Sequence, residues 1–406
     1  MPRIDHMSKS STLREHVEAA VLTTARPPTE TEASRGALAE CLPRFNEADW
    51  AALIDSALSQ GTASLLCRHL LNVGPELVPR DVGDAASAFL AMRASAAVDA
   101  MTQLASVVDA LSTEGIDALP YKGPVLALQA YHDPAMRTYR DLDFLVRQEY
   151  VWQALGVLEK LGYRSDAVLG LRARRIADYY HYNGHDILFG RYGLPLEPHW
   201  SLSPRTFCTE IDTGQIFTRA TSVESQGFRF ACFSPEDSLL VAAVHGGKEQ
   251  WSRLIWAADI AALLHSHPDL DWTAVFMRAS RTGCLRMTLL AAALSGELLG
   301  APLPEVVCLK IAEDHAVARL VAQVRANLFS GQESPSVFTL TSFRWNLRER
   351  LADRVRYASR TLFAARVPHF RNVDLPDPLS FMYPAVRLAH DFVAIPVWRA
   401  LNRKSG

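Results

Sequence analysis

Two aspartates one residue apart, Asp141 and Asp143, sit inside the run Arg140-Asp-Leu-Asp-Phe-Leu-Val146, and no other stretch constrains this chain as strongly. The run is rich in β-formers, and residues at i and i+2 project from the same side of a strand. Two carboxylates held that close repel unless a cation sits between them. Hard oxygen ligands suit Mg²⁺ or Mn²⁺, and either ion can carry nucleotide phosphates. Upstream, Tyr121-Lys122-Gly123 follows a short apolar segment, Ile116 to Leu119, and precedes a helical pattern from Pro124 to Tyr131. Strand, turn and helix in that order place backbone N–H groups and a helix N-terminus where a phosphate can be received. Lys122 adds a point charge beside them.

The bland alternative is a pair of solvated strand-end aspartates, since Asp-x-Asp arises by chance in chains of this size. The strand context on both flanks and Lys122-Gly123 at a matching distance favour a metal–nucleotide site. Other constellations are missing: no Gly-x-x-x-x-Gly-Lys-[Ser/Thr], no Gly-x-Ser-x-Gly elbow, no His-Glu-x-x-His and no nucleic-acid readout motif. His181 and His185 are four apart, but no acid pattern makes them a zinc site.

Lys-Gly, a helix, then Asp-Pro-x-x-Arg-x-x-x-Asp-Leu-Asp-Phe-Leu-Val resembles the core of the nucleotidyltransferase fold. More narrowly, it resembles the uncharacterised bacterial nucleotidyltransferase family that carries Lys-Gly where better-known members have Gly-Ser or Gly-Gly. Leu158-Glu-Lys-Leu-Gly-Tyr163 matches the Leu-x-x-x-Gly-aromatic segment after the acidic strand, and Leu196-Glu-Pro-His-Trp200 sits where the family has an acid-or-His strand. Pro235-Glu-Asp-Ser-Leu-Leu, with His245 and Trp251 to Asp259, matches the start of the helical C-terminal part. The resemblance covers about residues 35 to 400 and is strongest between 115 and 265.

The resemblance implies nucleotidyl transfer: an NTP bound through Mg²⁺ or Mn²⁺, its α-phosphate attacked by an acceptor hydroxyl or phosphate, and pyrophosphate released. The acceptor it implies is a small molecule or peptide, with natural-product tailoring as one setting. Asp141 and Asp143 would hold metal. A two-metal mechanism wants a third carboxylate, for which Glu197 is the candidate, with His199 at i+2 on the same face; the alternative is an edge-strand acid beside a polar residue stacked with Trp200. Lys122, Gly123, Arg137, Arg140 and Lys248 are candidates for nucleotide phosphates. Arg137 has an equal claim to pairing with Asp133 or Asp141. His245, Lys248 and Asp259 fall on one helix or a tightly coupled pair; they face an acceptor, or His245 and Asp259 form a buried hydrogen-bonded pair. Two rival functions stay open: a non-catalytic scaffold of the same fold, and a nucleotide-sugar glycosyltransferase using Asp-Leu-Asp. The latter usually places a long run of strands and helices before its motif, and here one strand precedes it.

At 406 residues the chain has room for two or three domains. The helical spacing of Leu38, Leu42, Trp50, Leu53, Ile54, Leu58, Leu65, Leu66 and Leu70, then of the Ala-rich stretch 85–111, predicts an N-terminal helical domain over 35–112 after a flexible polar arm, 1–34. Short strands (116–119, 140–146, 185–189, 194–202, 227–233) alternating with helices predict an α+β unit with a small mixed sheet over 113–233. Ser234-Pro-Glu-Asp237 has the form of a helix start and opens a C-terminal helical domain, 234–406. The predicted fold is thus α+β: a small mixed-sheet, nucleotidyltransferase-fold domain flanked by helical regions. Net charge is −2, but the chain from Arg344 onward is about +7, a solvated basic tail or one that contacts an acidic partner or a membrane surface. Six cysteines without a Cys-x-x-Cys pair read as free thiols in a reducing cytoplasm. No signal peptide or spanning helix is expected.

Overall fold

The computed structural model describes residues 15–28, 31–168, 170–171, 173–329 and 337–394. The N-terminal part consists of helices Glu15–Thr24, Thr31–Cys41, Glu47–Gln60 and Ala63–Val73, followed by one long helix, Arg80–Thr113. Asn46 starts the third helix through a capping box: its side chain accepts from the Asp49 amide at 3.1 Å while the Asp49 carboxylate accepts from the Asn46 amide. Gly61, at φ +78°, ends it in the left-handed region. Residues 1–14 of the expected arm lie outside the described residues, as do 29 and 30. From Glu15 the arm is instead a helix, because Val17, Ala20 and Val21 form an apolar stripe that is fully buried. The polar residues between them hid that stripe.

The sheet holds β1 (Ala118–Pro120), β2 (Leu142–Val146), β3 (Arg164–Ser165), β4 (Leu188–Phe189) and β5 (Leu196–His199), ordered β1-β2-β5-β4-β3. β2 and β5 are parallel and the other pairs antiparallel, so the sheet is mixed. A separate hairpin pairs β6 (Thr221–Ser225) with β7 (Phe228–Cys232). Its turn residues Gln226 and Gly227 both have positive φ, the twist that a two-residue hairpin needs. The strands that the apolar runs predicted are present but shorter, since burial continues past the last ladder hydrogen bond. β3 and β6 were not anticipated.

Alternation along β2 divides the core. Leu142, Phe144 and Val146 face a cluster with Met101, Leu104 and Leu111 of the long helix. Leu145 faces the other way, toward Tyr121, Phe233 and Val241. Asp143 shares the Leu145 side, which lies beneath helix Pro235–Lys248.

The main core joins the two ends of the chain. It gathers Val17, Leu53 and Leu65 with Leu240, Ile260, Leu263, Leu290, Leu320 and Leu347. Helix Leu254–Ser266 is buried along nearly its whole length, and a helix apolar all round belongs at a core centre. All six cysteines are free. Among the described residues no helix is long and apolar enough to cross a membrane. The basic C-terminal part spends several arginines internally. The Arg348 guanidinium lies between the Phe207 and Tyr357 rings, at 4.6 and 4.0 Å, Arg360 pairs with Glu210, and Arg371 donates to the Asp166 and Ala167 carbonyls. If helix Leu254–Ser266 is the centre of the core, Leu263→Ala lowers stability by about 2–5 kcal/mol at an unchanged urea m-value. A loss under about 1 kcal/mol would place Leu263 at a loose margin instead.

Candidate functional site

After β1 the chain leaves the sheet at Tyr121, whose amide still donates to the Asp143 carbonyl, at 3.4 Å. Lys122 is extended and precedes helix Gly123–Tyr131, with Pro124 in its first turn. Gly123 has φ +55°, and a Cβ there would stand 3.6 Å from the Asp141 carbonyl oxygen. The turn and the acidic strand therefore touch. A side chain at 123 would be strained by the backbone angle.

The Lys122 ammonium lies 2.7 Å from Asp143 Oδ1, and Asp143 is only 3% exposed. Parallel pairing puts Asp143 opposite Glu197 and Leu145 opposite His199, so the two acids are neighbours on one face. His199 Nε2 reaches Asp143 Oδ1 at 3.0 Å and Glu197 Oε2 at 3.5 Å. Its ring is set by packing: His185 stacks on it at 4.8 Å and Tyr121 meets it edge-on at 5.4 Å. Asp141, just before β2, lines the same cleft, a space of about 230 Å³ walled also by Lys122, Glu197, His199, His245 and Lys248.

Electrostatics set the two aspartates apart. Burial, then the charges of Asp143 and Glu197, push the Asp141 carboxyl up to about 6. Burial works the same way on Asp143, but the Lys122 ammonium and the His199 hydrogen bond hold it well below the usual carboxylate range. Burial and then His199, Lys248 and Lys122 push His185 down to about 3. Burial with Lys122 and Lys248 takes His245 well below its ordinary value. A second negative charge at Asp141 is thus disfavoured by its two acidic neighbours, which is the condition a dication relieves. Donor atoms of Asp143, Glu197 and His199 all lie within 4.8 Å of one another. Two carboxylates and an imidazole make a donor set that fits a divalent cation.

Of the residues singled out from sequence, Lys122, Gly123, Asp141, Asp143, Glu197, His199, His245 and Lys248 come together. Arg137 and Asp259 lie one step back. Arg137 Nε donates to Asp259 Oδ2 at 2.9 Å, and the Tyr131 hydroxyl donates to Oδ1 at 3.1 Å. Arg137 therefore pairs with neither Asp133 nor Asp141, and Asp133 takes Arg68 instead. His245 does not pair with Asp259, whose oxygens are occupied. It sits on the preceding helix and meets Trp256 edge-on at 5.4 Å. Arg140 is exposed at the strand entry. Sequence reasoning missed His185, Tyr121, Ser201 and Ser203 in the cleft wall. Ser201 could have been found by carrying the Glu197–His199 alternation two residues further. His185 could not, because its place depends on the isolated bridge to His199.

The model of the uncharacterised nucleotidyltransferase family matches residues 46–300. This chain belongs to that family. The match takes in every residue of the cleft and the N-terminal helices from Asn46, and it stops short of the Arg-rich end. No protein of curated function matches the chain. Within this family member, the Arg137–Asp259 pair is nearly fully buried and links the turn before β2 to the central helix. Arg137→Met strands a buried carboxylate and costs about 3–5 kcal/mol. Adding Asp259→Leu recovers most of that loss in urea denaturation; a double variant as unstable as the single would show that the arginine's place, not its charge, matters.

Proposed function

We propose that the cleft transfers a nucleoside monophosphate from an NTP to a hydroxyl or phosphate of a small-molecule or peptide acceptor, with Mg²⁺ or Mn²⁺ held by the acidic face of β2 and β5. The observation that carries this reading is the cluster of Asp143, Glu197 and His199 beneath the Lys122-Gly123 turn, inside the segment that matches a nucleotidyltransferase family. A bound dication would neutralise the phosphates and polarise the α-phosphorus.

The chain's own groups have the following parts. Gly123, lacking a side chain, lets phosphate approach the backbone at the N-terminus of helix Gly123–Tyr131. Lys122, already aimed at Asp143, offers its ammonium to the β- and γ-phosphates. Glu197, opposite Asp143 and less buried, would help hold the cation that orients the acceptor, whose proton leaves to solvent as the new O–P bond forms and the bond to pyrophosphate breaks. Lys248, on the helix above the cleft, screens the departing pyrophosphate, and the uncharged His245 beside it helps close off water. Arg137 acts at second hand: its ion pair with Asp259 holds the loop from which β2 starts.

Two measurements test the reading. By calorimetry, NTP affinity rises at least ~10-fold with Mg²⁺ or Mn²⁺ over EDTA, because triphosphate and carboxylates otherwise repel. Asp141→Asn narrows that gain. Equal affinity with and without the cation would sink the proposal. By pyrophosphate release with a cell-extract acceptor pool, Glu197→Gln loses ~10²-fold or more in turnover while NTP binding stays within a few-fold. Release from neither protein, with metal-dependent NTP binding intact, is the result a non-catalytic scaffold gives.

A further inference from the structure

The geometry points to His199 as a direct ligand of the cation, which makes this a one-imidazole, two-carboxylate site that selects Mn²⁺ or Zn²⁺ over Mg²⁺. The inference rests on the cleft being a cation site, and it goes further in naming which cation and which residue chooses it.

Three observations support it. First, Nε2 of His199 is the ring atom that faces the carboxylates, 3.0 Å from Asp143 and 3.5 Å from Glu197. It belongs to the tight donor group, whereas Asp141 lies at the cleft wall. Second, the ring is over nine-tenths buried, and among the described residues its Nδ1 has no hydrogen-bond partner. Asp143 holds the proton on Nε2 in this structure, and the unpartnered Nδ1 can take that proton when a cation enters, which frees the Nε2 lone pair for the metal. Third, stacking on His185 and the Tyr121 edge hold the ring plane without using a nitrogen.

A second His/Asp cluster shows the contrast. At His369, His390 and Asp391 the ring nitrogens are committed. His369 Nδ1 accepts from the Arg366 amide at 2.8 Å, and its Nε2 donates to Asp391 at 3.1 Å. His390 meets Asp391 through Nδ1 and the Asn372 amide through Nε2. That cluster is a hydrogen-bonded clasp with both nitrogens of each ring committed, whereas His199 shares only Nε2 with Asp143 and keeps Nδ1 without a partner among the described residues.

Imidazole is a good ligand for Zn²⁺ and other transition ions, whereas Mg²⁺ prefers carboxylates and retained water. Lys122 fits the same picture. Its ammonium occupies Asp143 Oδ1 at 2.7 Å and is the charge that an entering dication displaces toward the nucleotide.

The test is equilibrium binding of Mn²⁺, Zn²⁺ and Mg²⁺ alone to the full chain by calorimetry, for wild type, His199→Asp and His199→Gln. Wild type prefers Mn²⁺ to Mg²⁺ by ~100-fold, and His199→Asp cuts that ratio by at least ~10-fold, chiefly through tighter Mg²⁺. An unchanged ratio in folded variants overturns the proposal. Should neither variant fold, pulsed electron paramagnetic resonance of Mn²⁺ on the wild type decides: ¹⁴N modulation from a bound imidazole supports it, and its absence overturns it. Wild-type protein that binds none of the three ions overturns the cation-site reading itself, an outcome distinct from unselective binding.

Discussion

A carboxylate that is 3% exposed cannot carry its charge alone, and the cleft is organised around that requirement at Asp143. Its position in the centre of β2 is dictated by Leu142, Phe144 and Val146, which must face the long helix. Alternation then leaves Asp143 on the opposite side. From there each neighbour follows. Lys122 comes from the turn after β1, His199 from β5, and Glu197 from the residue opposite in the parallel register. Glu197 and His199 would not meet Asp143 if β2 and β5 slipped by one residue, because a one-residue slip sends every side chain to the other face.

The second buried pair, Arg137–Asp259, answers a different need. The loop from His132 to Arg140 joins helix Gly123–Tyr131 to β2, so its conformation sets where Asp141 stands. Anchoring it on Asp259 of helix Leu254–Ser266 ties that loop to the main core, and Tyr131 supplies the remaining hydrogen bond. An arginine that looked from sequence like a phosphate ligand is committed to holding the frame. The distinction between touching a ligand and holding the residue that touches it lies in such long-range pairs.

Much of the fold was legible because its signals are local. The run of β-formers marked β2, a short strand was expected over the stretch that holds β5, and Ser234-Pro-Glu-Asp237 marked a helix start. The union of Lys122-Gly123 with Asp141 and Asp143 was also readable, since a strand–turn–helix beside an acidic strand leaves few arrangements. What sequence did not disclose is contact between distant segments. His185 against His199, Arg137 with Asp259, and Arg348 between Phe207 and Tyr357 join stretches whose separation carries no pattern. The helix at Glu15 was missed for a milder reason: a stripe of three small apolar residues is faint beside the charges that flank it.

The shared core of the two chain ends bears on how the molecule comes into being. Helices made early, Glu47–Gln60 and Ala63–Val73, share a core with helices made much later, and Gln60 bonds the Leu254 amide and the Leu328 carbonyl. During synthesis these helices cover one another only in part, the side that meets helix Leu254–Ser266 stays open until that helix has left the ribosome, and the sheet unit between them can close first. Loop-closure entropy delays the final union further. The growing chain therefore passes through a stage with an assembled cleft and an open hydrophobic flank, and in that interval it has most need of a chaperone.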